Sequence, residues 1–143
     1  MGVREKSAWA MLVIAVVGIA VYLSLLAVNL DGGSPTEIRY QPLMLWTIAG
    51  AIVAGIVVHI VISVRAGIAG ENDKPDERDR QIERFGTNVS QAFLVIGGLA
   101  ALLMALAEWD WFWIANALYF GFALSGVLEG VAEVVAYRRG VPW

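Results

Sequence analysis

The sequence predicts an all-α polytopic membrane protein, with four transmembrane helices in an antiparallel bundle and a short cytoplasmic helix before the third span. Three observations predict it. The 143 residues are 59% hydrophobic and 16% charged, with a mean hydropathy of +0.68, well above the range of water-soluble domains. Four apolar stretches, 8–28, 43–64, 89–107 and 113–136, each lack Lys and Arg and reach the length of about 20 residues that crosses hydrocarbon. The basic residues gather on alternate connections, as the positive-inside rule requires of a polytopic chain.

The first stretch, 8–28, follows Arg4 and Lys6 and is longer than the apolar region of about 7 to 15 residues in a secretory signal, so it is read as a retained anchor. The segment NLDGGSPTEIRYQP links it to the second stretch and carries the Gly32-Gly33 and Ser34-Pro35 turn signals. Spans three and four are joined by EWDWF, short enough to force an antiparallel hairpin. The loop 65–88 has room for structure: Pro75 opens a helix over about 75–85, with Asp76, Glu77 and Asp79 in its first turn and Arg80 and Arg84 further on, an order that suits the helix dipole. Gly86 is read as a bend between this helix and the third span.

Orientation follows from the charges. Arg4, Lys6, Arg65, Lys74, Arg78, Arg80, Arg84, Arg138 and Arg139 make nine of the ten basic residues, and only Arg39 lies on the other side. Both termini and the middle loop are therefore expected in the cytoplasm of a prokaryotic inner membrane. Aromatic residues agree: Tyr40, Trp46, Trp109, Trp111 and Trp113 form an outer belt, and Trp9, Tyr137 and Trp143 an inner one.

Ionisable residues inside a span are costly and are candidate sites. Glu129 and Glu133 are four residues apart and share a face of span four with Gly126, Gly130 and Tyr137. Gly126 and Gly130 form a GxxxG pair that allows another helix to approach, which turns the carboxyls toward protein. Ala51, Gly55, His59 and Ser63 make a second small and polar stripe on span two. From helix rise, His59, Asn88, Gln91, Glu129 and Glu133 fall in the cytoplasmic half, a candidate cluster for binding a proton or cation. Simpler readings stand beside this one: His59 as an interhelical hydrogen-bonder, Glu133 as a residue that snorkels or pairs with a nearby Arg, and Glu129 as a neutral lock between helices.

The run Asp76-Glu77-Arg78-Asp79, then Ile82 and the third apolar span, resembles the Asp-Glu-Arg-x-x-x-Ile signature of small predicted prokaryotic membrane proteins of unknown function. Where such sequences continue with a basic residue and alanine, this chain has Phe85-Gly86. The resemblance implies topology and no chemistry. It singles out Asp76, Glu77 and Arg78, which with Arg80 are expected to face a partner or to pair with the ends of the spans.

The absence of cysteine excludes disulfides and thiolate chemistry, and one histidine leaves little for a transition-metal site, so neither a metal nor a cofactor is expected. No HExxH, Walker or GxSxG motif is present, so an enzyme is not expected. The middle loop carries five basic and six acidic side chains, which argues against nucleic acid. The expected partners are the bilayer, a protein or a second copy of the chain. The expected role is a non-enzymatic accessory or sensory module, with a small oligomeric proton- or cation-coupled transporter using Glu129 and Glu133 as the alternative.

Because the chain has no cysteine, single cysteines report sidedness cleanly. In intact cells an impermeant maleimide is expected to label Ser34→Cys and to leave Lys74→Cys unlabelled; the reverse pattern would invert the topology.

Overall fold

The computed structural model describes residues 2–71 and 74–142, so the predicted belt residue Trp143 lies outside the described residues. Every long element is a helix: α1 (Val3–Leu30), α2 (Tyr40–Ile68), α3 (Glu77–Leu106) and α4 (Trp111–Arg139), with a 3-10 turn at Pro35–Glu37. Each of the four is long and apolar enough to cross a membrane. The predicted spans lie inside these helices except at residue 107, which caps α3. In one respect the expectation needs correction. Among the described residues no separate loop helix precedes the third span: α3 runs unbroken from Glu77 through Gly86 to Leu106.

Local chemistry explains the boundaries. Asp76 is the N-cap of α3: its Oδ1 accepts from the Asp79 amide at 2.7 Å, and its own amide donates to Asp79 Oδ2 at 3.1 Å. This reciprocal capping box satisfies two of the orphan amides at a helix start. Asp110 caps α4 by accepting from the Phe112 amide at 2.9 Å, so the turn after Leu106 reverses within a few residues. Gly140, at φ +84°, ends α4 in a conformation that side chains disfavour.

The helices form a row rather than a square. Contacts are most extensive between α3 and α4, followed by α1 with α2 and α1 with α4; α2 and α3 share at most incidental contact. α4 is accordingly the most buried helix, while α1 and α2 present apolar side chains outward along most of their lengths. That surface is what hydrocarbon would cover.

Small residues let the helices approach. A Cβ on Gly97 would lie 2.6 Å from the Gly121 Cα, and one on Gly121 would lie 2.9 Å from the Gly97 Cα, which makes this the backbone contact of α3 with α4. A Cβ on Gly130 would lie 2.9 Å from the Leu12 Cβ of α1, and one on Gly55 would lie 3.6 Å from the Met11 Cε. Gly126 has open space around it, so of the GxxxG pair only Gly130 is a close-approach point, and it serves packing within the chain.

Away from the loop, the end holding the α1–α2 and α3–α4 connections has an aromatic core. Tyr22 is fully buried, its hydroxyl donates to Asn116 Oδ1 at 2.6 Å, and its ring lies 4.4 Å from that of Tyr119. Tyr40 meets Phe112 edge to face at 5.2 Å.

Gly97→Ala is expected to lower stability by about 1 to 3 kcal/mol through overpacking against backbone that cannot yield, whereas Gly98→Ala, with open space, is neutral. Thermal unfolding of the two variants in one detergent would check this; equal midpoints would refute the contact.

Candidate functional site

The end holding both termini and the α2–α3 connection carries a polar cavity of about 210 Å³. α1 contributes Arg4, Ser7, Ala8 and Met11, α2 contributes His59, α3 contributes Asp79 and Glu83, and α4 contributes Glu133 and Tyr137, with Pro75 at the rim. All four helices thus meet at this chamber. His59 is itself largely exposed, on the chamber's edge rather than in its interior.

The two carboxylates of α4, Glu129 and Glu133, face α3. A Cβ on Gly86 would lie 2.8 Å from the Glu133 Cγ and 3.4 Å from the Glu129 Cγ, so the buried glycine makes the room in which both side chains sit. Gly86 therefore provides space for α4 instead of a bend in α3. Thr87 donates its hydroxyl to Glu129 Oε1 at 3.1 Å. This bond gives the carboxyl a specific partner on the neighbouring helix.

Above the carboxylates, the charged motif fastens α3 to α4. Arg78 Nη2 donates to the Tyr137 carbonyl at 3.0 Å, placing a cation at the C-terminal end of α4, where the helix carries unsatisfied carbonyls and partial negative charge. The Tyr137 hydroxyl donates to Asp79 Oδ1 at 2.9 Å. Asp79 thus caps its own helix with one oxygen and holds α4 with the other. Arg78 reaches α4 through a backbone carbonyl, not through a carboxylate. Two further contacts close this end: the Arg138 guanidinium lies 5.2 Å from the centroid of the Trp9 ring, and Lys6 Nζ stands 3.9 Å from Glu71 Oε2. The latter pair is half exposed and is worth about 0 to 1 kcal/mol.

The five residues of the candidate cluster do not form one group. Glu129 and Glu133 adjoin at Gly86, and Glu133 shares the chamber with His59. Asn88 and Gln91 are exposed on α3, with Asn88 in a shallow groove beside Arg80, Glu83, Arg84 and Thr87. Of the loop residues, Asp76 is taken up by the cap and Arg78 by Tyr137, while Glu77 and Arg80 stay exposed. Sequence reasoning missed Thr87, Asn116 and the pairing of Asp79 with Tyr137. The lone amide of Asn116 in an apolar run was the readable signal for the second of these.

Among the described residues no three His, Asp or Glu are arranged to hold a metal ion. Comparison with family models, with curated proteins and with solved structures finds no match to this chain. The chemistry available to the chamber is thus read from its own residues: carboxylates, an imidazole, a guanidinium and a phenol line a polar space large enough for water or a small polar solute.

Tyr137→Phe removes the hydroxyl that donates to Asp79 and is expected to cost about 1.5 to 3 kcal/mol, as hydrogen bonds to charged groups do. Thermal unfolding would show a lowered midpoint; an unchanged midpoint would mean that the bond contributes nothing.

Proposed function

We propose that this chain is a non-enzymatic sensory or accessory module of a prokaryotic inner membrane, cytoplasmic at both termini, with the loop-end chamber as its sensing element. The observation that carries this reading is that the chamber draws side chains from all four helices yet stops at one end. Beyond it lie the Leu12–Gly130 and Gly97–Gly121 contacts and the buried Tyr22–Asn116 pair. A chamber of this shape takes up a proton or a small polar solute from one side. Any such change alters the charge balance among Arg4, His59, Asp79, Glu83 and Glu133, and with it the way the four helix ends meet. The exposed Glu77 and Arg80 lie beside that end and form the face a cytoplasmic protein would read.

A proton- or cation-coupled transporter is the second reading, favoured by the position of Glu129 and Glu133 next to the chamber. Proteoliposomes separate the two. A sensory module gives background flux of protons, monovalent and divalent cations at every pH, together with a pH-dependent change in the fluorescence of Trp9, whose ring lies under the Arg138 guanidinium at the same end. Flux well above background that Glu129→Gln abolishes would overturn the sensory reading in favour of transport.

A further inference from the structure

α3 carries polar side chains on the wrong face. Its buried residues Ile82, Gly86, Ser90, Gly97 and Ala101 turn toward α4. At 100° per residue, Asn88 and Val95 point almost directly away from them, and both are exposed. Depth makes this costly. Arg78 is level with the Tyr137 carbonyl near the end of α4. Asn88 and Gln91 lie ten and thirteen residues further on, about 15 and 20 Å deeper at the helical rise. The headgroup layer is only about 5 to 8 Å thick, so Gln91 stands in hydrocarbon and Asn88, the residue before the apolar stretch 89–107, at its edge, both on a surface turned to lipid. Among the described residues neither side chain makes a hydrogen bond, and an unsatisfied amide in hydrocarbon is strongly unfavourable.

The spacing indicates what covers them. Arg84, Asn88, Gln91, Val95, Gly98 and Leu102 follow one another at alternating steps of four and three, the seam of a left-handed helix pair. Asn88 and Val95 then occupy the same heptad position, where a single Asn favours a two-stranded assembly by pairing with its own copy and β-branched residues pack well. An amide both donates and accepts, so Asn88 and Gln91 are complementary to themselves across a two-fold axis. Gly98, one heptad after Gln91 in this seam, has open space where a Cβ would stand. Arg84 sits at the shallow end, about 9 Å below Arg78, long enough to reach the headgroups.

We infer that α3 is the contact of a parallel homodimer, in which a second copy of this chain satisfies Asn88 and Gln91 in the membrane. The inference rests on the four helices spanning a bilayer, and the test separates the two. Single cysteines at Asn88, Gln91, Val95 and Leu102, and at Val53 and Ile56 on the exposed face of α2 as controls, are oxidised in native membranes. Disulfide-linked dimers are expected at the α3 positions, strongest at 88 and 95, and several-fold weaker on α2. The double variant Asn88→Leu and Gln91→Leu, which only adds apolar surface to an exposed face, is expected to weaken the dimer in detergent roughly three- to tenfold. Equal cross-linking everywhere, dominant cross-linking through α2, or a dimer unaffected by the double variant overturns the proposal. So does a nitroxide at position 88 that a headgroup-bound relaxation agent quenches in a monomer, which would show lipid drawn inward to cover the amides. Loss of the chain from membranes on carbonate washing would instead remove the spanning reading itself.

Discussion

The backbone contact between Gly97 and Gly121 is the constraint on which the rest of the molecule depends. With no side chain on either residue, α3 and α4 meet there at a separation no other pair would permit. The Asp110-capped turn fixes their antiparallel order at one end. Three turns of helix toward the loop, the same closeness carries Gly86 onto Glu133, and two turns beyond that it brings Arg78 and Asp79 to Tyr137. The polar chemistry at the loop end thus depends on an apolar contact in the middle of the hairpin. In water such a pair would be driven together by burial; in lipid, where apolar burial gives little, close packing and interhelical hydrogen bonds carry the association.

The two ends are held by different forces. Around Tyr22, the aromatic rings and a buried Tyr–Asn hydrogen bond fix α1 against α4 with little that titrates nearby. Around Tyr137 the ties are a capping box, a guanidinium on a carbonyl, a cation over an indole and a half-exposed ion pair. Water and salt compete for contacts of the second kind far more than for the first. The loop end is therefore the end that opens first and the one that charge can alter.

The spans were legible in the sequence because a run of apolar residues declares itself whatever direction each side chain takes. Azimuth was less legible. Depth alone assigns Asn88 and Gln91 to the candidate cluster, but depth places a residue in a layer without saying which way it faces. The information was present: Ile82, Gly86, Ser90, Gly97 and Ala101 mark a small-residue face by their spacing, and Asn88 lies opposite. In the sequence Gly86 suggests backbone freedom, whereas its helix is regular and its role is the missing Cβ beside Glu133. The bond from Tyr22 to Asn116 joins residues 94 apart, and nothing local in either segment names the other. Asp79 was legible as a first-turn acid; that its second oxygen serves α4 depends on a docking angle that no periodicity encodes.

The order of the row determines how a change in the chamber can travel. α2 has no extensive contact with α3 or α4, so His59 is linked to the carboxylates of α4 either across the chamber or through α1. On α1 the two neighbours are consecutive: Met11 packs on Gly55 of α2, and Leu12 packs on Gly130 of α4, the residue after Glu129. A displacement of α2 presses on Met11, and a rotation of α1 by a few degrees moves Leu12 against a glycine that has no side chain to absorb it. Because Glu129 and Glu133 flank that glycine, the same rotation alters their fit against Gly86 and Thr87. Coupling by this route needs no polar path through the membrane. It requires only that packing at two adjacent residues of one helix be too tight to deform independently.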